Sequence, residues 1–269
     1  MIRPLPLRLS LGLVVLLAFV FGALQVGGQR PAQLRVLVPA IPGDAALITT
    51  PNGKTVLIDG GEDGAALATW LGNALPFGQR DLDVLILTRQ DAKTLPGQLA
   101  ALKRYRVGMA LMAATEENNS SQDAWWDLLA AQGITPQPIT AGDQLKLGQC
   151  TIDTLSEHEG RLTLALRCGT TAAHFLQSID DEAEQELEAQ DLDPTSLVVY
   201  PWKRATNTPL MQALQPQAIV FSEGGRSEGA LSWTDRQIGA AWLFHEDVHG
   251  QVELRGSGEQ LTISAERGE

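Results

Sequence analysis

The sequence predicts a layered α/β sandwich preceded by one apolar N-terminal helix. Three observations carry that expectation. Short strand-like runs alternate with stretches of helical spacing through two successive blocks, the pattern of sheets covered by helices. No linker-like stretch interrupts the chain after residue 33, so most of its 269 residues read as one large domain. An uncharged apolar run from Leu9 to about Val26 stands near the start, with Arg3 and Arg8 before it.

That run holds 18 residues, which at ~1.5 Å each reach ~27 Å, close to the thickness of a bilayer core. It is apolar all round, unlike a helix with one buried stripe. The positive flank predicts a single-pass cell-membrane anchor with the body outside the cytoplasm. The alternative is a signal peptide cleaved near Val26-Gly27-Gly28, which would leave the body secreted. The expected divisions are therefore a leader at 1–28, a linker at 29–33, a domain at 34–264 and a tail at 265–269.

Within the domain, 34–38 is a short apolar strand. Runs 44–50 and 55–59 form a strand pair around Pro51-Asn52-Gly53-Lys54, whose Asn-Gly step tolerates positive φ. Leu67, Leu71, Ala74 and Leu75 give 64–75 a helical face. Residues 83–88 are apolar enough for a strand buried on both sides. A helix at 95–105, a strand at 109–113 and a helix at 122–132 follow. Strands are then expected at 135–139, 144–147, 150–155, 161–168 and 172–178, before an acidic helix at 181–190. Strand 196–200, a helix near 208–214 and strand 218–222 come next. The remainder reads as a helix at 234–240 and closing strands at 242–245, 250–255 and 260–264.

The net charge is −12, and removing Arg3 and Arg8 leaves a body near −14. Such a surface repels phosphate backbones, so extended nucleic-acid binding is disfavoured. Lys103, Arg104 and Arg106 are the one dense basic cluster, and a solvated helix end accounts for them. There are two cysteines, Cys150 and Cys168. A hairpin turning at 157–160 sets them opposite one another, where they form either a disulfide, permitted outside the cytoplasm, or two buried thiols. No Cys/His pair has zinc-ligand spacing. Phosphate loops, dinucleotide fingerprints and a Gly-x-Ser-x-Gly elbow are absent. His158 falls in a turn, His174 in a strand, and His245 and His249 beside the closing strands in no recognisable ligand pattern.

Three blocks carry a resemblance: Gly43-Asp44-Ala45-Ala46-Leu47-Ile48, then Pro51-Asn52-Gly53-Lys54, then Leu57-Ile58-Asp59-Gly60-Gly61. With Leu85-Ile86-Leu87-Thr88 and weaker blocks at 143–148, 180–187 and 196–201, they resemble the metallo-β-lactamase domain of ComEC-type DNA-uptake proteins. The resemblance implies an αββα metallo-β-lactamase-like sandwich behind one N-terminal transmembrane or signal helix. In that family, metals sit at one edge on loops at strand ends, and activate a water.

The family's first ligand loop reads His-x-Asp-x-Asp-His after Leu-Thr. Here it is Arg89-Gln90-Asp91-Ala92-Lys93-Thr94, so Arg89, Lys93 and Thr94 replace ligands and only Asp91 survives. Asp180 matches a bridging carboxylate, with Asp181 as a shifted option. A later Pro-His-His-Gly becomes Pro201-Trp202-Lys203-Arg204, so Trp202 and Lys203 replace histidines. The remnant thus comprises Arg89, Asp91, Lys93, Thr94, Asp180, Trp202 and Lys203.

This pattern implies no catalytic residue and no bound metal or cofactor. Arg89, Lys93 and Lys203 are expected to pair with Asp91 and Asp180, an ion-pair network in place of metal. The alternative is that they are ordinary surface-loop residues. The functional expectation is a metal-free binding or scaffolding protein of the cell envelope, tethered to the membrane and with a protein partner. The alternatives are a hydrolase of esters or phosphoesters with a remodelled site, and an accessory protein in DNA uptake.

Overall fold

The computed structural model describes residues 33–114, 120–222, 238–257 and 260–267. The expected leader and most of its linker lie outside these residues. Among the described residues, no helix is long and apolar enough to cross a membrane.

The chain builds two mixed sheets with helices on both outer faces. The first half supplies β1 (Leu34–Val38), β2 (Ala45–Thr49), β3 (Thr55–Asp59), α1 (Gly64–Ala74), β4 (Asp81–Leu87), α2 (Leu95–Leu102), β5 (Arg106–Ala113), α3 (Ser120–Ala131) and β6 (Gln137–Ile139). Then follow β7 (Gln144–Leu147), β8 (Cys150–His158), β9 (Arg161–Cys168), β10 (Thr171–Phe175), α4 (Asp181–Glu188), β11 (Leu197–Pro201), α5 (Pro209–Leu214) and β12 (Ala218–Ser222). The chain closes with β13 (Trp242–His245), α6 (Glu246–His249), β14 (Val252–Ser257) and β15 (Gln260–Ala265). One sheet has the order β15-β14-β1-β2-β3-β4-β5-β6, the other β13-β12-β11-β10-β9-β8-β7. This is the expected αββα sandwich.

Alternation along the strands explains the layering. Val36, Ile48, Ile58 and Ile86 point between the sheets, where they meet Ile152, Leu164, Phe175 and Val199. Their neighbours Leu37, Leu47, Leu57 and Leu85 point outward and are covered by Leu67 and Leu71 of α1, Leu95 of α2, and Trp125 and Leu129 of α3. The outer face of the second sheet packs Val198, Tyr200 and Phe221 on Leu187 of α4 and Leu210 and Leu214 of α5. Each such strand is therefore buried on both sides, which is why it reads as a continuous apolar run.

Several element boundaries differ from expectation. The helix expected at 95–105 ends at Leu102 and closes in a turn in which Arg104 N and Tyr105 N both donate to Ala101 O (2.9 and 2.8 Å), with the Tyr105 ring buried. The strand expected at 172–178 stops at Phe175. There Leu176 N donates to Val199 O (2.9 Å) and Ile179 N to Leu176 O (3.1 Å), a turn that carries Ser178 into the interior. Of the helix expected at 234–240, residues 234–237 lie outside the described residues and 238–240 form a turn. The short α6 was not expected; His245 caps it through Nδ1, which accepts from Asp247 N (3.1 Å). The β8–β9 register sets Cys150 opposite Cys168, and the two are joined in a disulfide.

Candidate functional site at the carboxyl edge of the sheets

Strands β3, β4 and β5 run parallel in one sheet, and β10 to β13 run parallel in the other. Loops leaving their carboxyl ends gather at one edge of the sandwich, and Thr88 ties that edge together. Its carbonyl accepts from Leu162 N of β9 (2.9 Å), and its hydroxyl lies 2.7 Å from Ser178 Oγ. Thr88 N and Oγ1 donate to the two carboxylate oxygens of Asp59 at 2.8 and 2.6 Å, and Gln177 Nε2 adds a third bond at 3.1 Å. Asp59 ends β3 in the left-handed region at φ 54° and is fully buried. Burial raises its pKa to about 6, against the lowering effect of those hydrogen bonds.

The 89–94 loop is locked by its charges and by close backbone packing. Arg89 Nη2 reaches Asp44 Oδ2 at 3.1 Å, and Arg89 Nε lies 2.5 Å from Asp91 Oδ2. Asp44 is almost fully buried and Arg89 nearly so. Asp91 Oδ1 accepts from Lys93 N at 2.8 Å and lies 3.2 Å from Thr94 Oγ1. Thr94, fully buried, also donates to the carbonyl of Arg89. Asp44 N in turn donates to Lys93 O (3.0 Å). Beneath the loop, Gly60 and Gly97 touch backbone to backbone, and a Cβ on Gly97 would lie 1.6 Å from Gly60 O. Only a residue without a side chain fits there.

Asp180 caps α4, its Oδ1 accepting from Ala183 N (2.8 Å). Its Oδ2 faces the tip of the β8–β9 hairpin, 2.9 Å from His158 Nδ1 and 4.0 Å from Arg161 Nε. Burial pushes the Asp180 pKa up, but hydrogen bonds from His158 and Ala183 N outweigh it and hold the group below the usual range. The hydrogen bond to Asp180 raises the pKa of His158.

The 201–204 turn is built differently. Trp202 N donates to Ser222 O (2.7 Å), and the buried indole packs edge-on against Phe221 and His245, with ring centroids 5.1 and 4.6 Å away. Lys203 is exposed. Arg204 turns away to Asp181 (2.8 Å) and Glu184.

The residues that the sequence singles out therefore separate into three groups. Arg89, Asp91, Lys93 and Thr94 share one loop; Asp180 joins the hairpin tip; Trp202 and Lys203 belong to the aromatic turn. The expected single network is corrected: Asp180 pairs with His158 and Arg161 rather than with Arg89, Lys93 or Lys203, Asp91 meets Lys93 through the Lys93 backbone N, and the acid that Arg89 recruits besides Asp91 is Asp44. Sequence reading did not find Asp44 or His158 as site residues. Asp44 sits 45 residues before Arg89 and His158 22 before Asp180, so only the fold reveals either pairing. A fixed guanidinium between two carboxylates does not fit a divalent cation at the loop positions that the family pattern gives to ligands.

Comparison with solved structures identifies the fold as that of the metallo-β-lactamases. The chain aligns with metallo-β-lactamase fold protein YhfI from Bacillus subtilis at TM-score 0.57 and 12% identity, over 83% of this chain and 99% of that one. It aligns with a mutant of the CmlA β-hydroxylase at TM-score 0.57 and 13% identity, over 85% of this chain and 55% of the hydroxylase. The chain thus spans about half the length of that hydroxylase. No protein-family model matches the sequence, and no curated protein does either.

Proposed function

We propose that this is a non-catalytic metallo-β-lactamase-fold protein of the cell envelope, related to ComEC-type competence proteins, that binds or scaffolds a protein partner. The observation that carries the reading is Arg89. A guanidinium held by Asp44 and Asp91 stands where the family pattern requires the first histidine ligand. Its positive charge is positioned to do the structural work of a cation while offering no open coordination site for a nucleophilic water. The other candidate nucleophile at this edge, Ser178, is buried and hydrogen-bonded to Thr88, which argues against a remodelled hydrolase.

Two features support a location outside the cytoplasm. One is the apolar run after Arg3 and Arg8. The other is the Cys150–Cys168 disulfide, a bond that persists in oxidising compartments. A role in DNA uptake would need a partner protein to contact the DNA, given the net charge of −12.

The test is turnover. The purified chain is assayed against phosphodiester and ester substrates with and without added zinc or manganese. No metal-dependent hydrolysis above background is expected. Metal-dependent turnover that disappears in an Asp91→Asn variant would overturn the reading.

A further inference from the structure

We propose that His158, Glu159 and Asp180 form a site for a single divalent transition-metal ion at the tip of the β8–β9 hairpin. One ligand atom from each residue lies within 4.8 Å of the other two. The 2.9 Å between His158 Nδ1 and Asp180 Oδ2 is the separation of two neighbouring ligands bonded at ~2.1 Å and about 90° apart. An imidazole nitrogen with two carboxylates suits zinc, manganese or cobalt rather than calcium or magnesium, which prefer all-oxygen shells.

The scaffold holds two of the three donors in place. Strand pairing fixes His158 opposite Arg161 at the mouth of the turn. Asp180 spends Oδ1 on capping α4, which orients its carboxylate and leaves Oδ2 towards the imidazole. Glu159 is exposed and its backbone is left-handed at φ 46°. It closes the set from the solvent side, where water completes the coordination. Glu182 adds negative charge near His158, and Arg161 is the opposing cation. The inference goes beyond the proposed function: only Asp180 coincides with a position of the family's ligand pattern. A metal here would clamp the hairpin to α4 without rebuilding the Arg89 loop.

The experiment uses the full chain without a histidine tag, titrated with zinc by calorimetry and with cobalt by visible absorbance. We expect one equivalent of metal per chain. His158→Gln and Asp180→Asn should each weaken binding by roughly tenfold or more. Asparagine preserves the helix cap, and circular dichroism checks that both variants fold. Asp91→Asn should bind as the parent does. Absence of binding, binding unaffected by His158→Gln, or binding lost in Asp91→Asn would each overturn the site. Metal bound in the expected pattern but accompanied by hydrolysis would support this site and defeat the non-catalytic reading; absence of both would do the reverse.

Discussion

The 89–94 loop and the 201–204 turn, the two stretches that the ComEC-type resemblance would align with ligand loops, are held by opposite physical means. In the first, charge holds the loop: Arg89 sits with Asp44 and Asp91, and Lys93 N donates to the Asp91 carboxylate. In the second, an apolar ring is at the centre: Trp202 packs on Phe221 and His245. A buried ion pair is weak evidence for net stability, yet losing one partner of it is expensive. A packed indole stabilises by area and shape, and its loss is felt as a cavity. The two routes should therefore respond differently to substitution, salt and pH.

The largest effect is expected in the charged loop. Arg89→Ala removes the guanidinium from nearly buried Asp44 and should destabilise the protein by ~4 kcal/mol in chemical denaturation. The double variant Arg89→Met/Asp44→Asn should recover more than half of that loss, because no buried charge then lacks its counter-ion. A cost for Arg89→Ala below ~1 kcal/mol would show that the pair behaves like a surface salt bridge. Trp202→Ala comes next, at ~3 kcal/mol, with no dependence on ionic strength. If its cost changed with salt, the aromatic turn would have an electrostatic component and the contrast would weaken.

Much of this contrast is legible in the order of residues alone. The Asn52-Gly53 turn is readable from its chemistry, and Gly53 has φ 81°. The strands buried on both faces stand out as apolar runs because neither face meets water. The charged make-up of the 89–94 loop is visible from residue type. What the sequence conceals is partnership across distance. Nothing local tells that Asp44 will meet Arg89, or that a turn histidine will meet Asp180; both pairings depend on how hairpins and loops reach the shared edge. A local turn also defeats the strand expected through 176–178 (Leu-Gln-Ser), which bends inward to place Ser178 against Thr88.

A third effect separates the charged side of the edge by pH. The folded-state pKa of Asp59 is raised to about 6 by burial, above its ordinary 3.8. Its contribution is fully present below the unfolded value and lost as pH rises through about 6. His174, buried against Thr195, has the opposite sign: burial lowers its pKa from 6.5 to about 4. Its contribution is present above 6.5 and lost as pH falls through about 4. Each slope integrates to on the order of 3 kcal/mol across that window, and they oppose each other. Asp59→Asn should therefore unmask a stability that climbs from pH 4 to 6.5, and His174→Gln one that declines. Identical pH profiles for parent and both variants would remove Asp59 and His174 as titrating groups.

The smallest effect is expected at Lys203, and it bounds the comparison. Lys203 adjoins Trp202 and occupies the second histidine position of the resemblance, but it is exposed. Solvent screens its charge, so Lys203→Ala should change stability by less than about 0.5 kcal/mol. A loss near ~2 kcal/mol, abolished by high salt, would mean that Lys203 as well as Arg204 carries ion pairing in the second turn. Charge would then hold both loops, with the Trp202 packing secondary to it. An unchanged stability leaves the 201–204 turn held by the Trp202 ring and by the Arg204 ion pairs to Asp181 and Glu184, with no measurable share from Lys203.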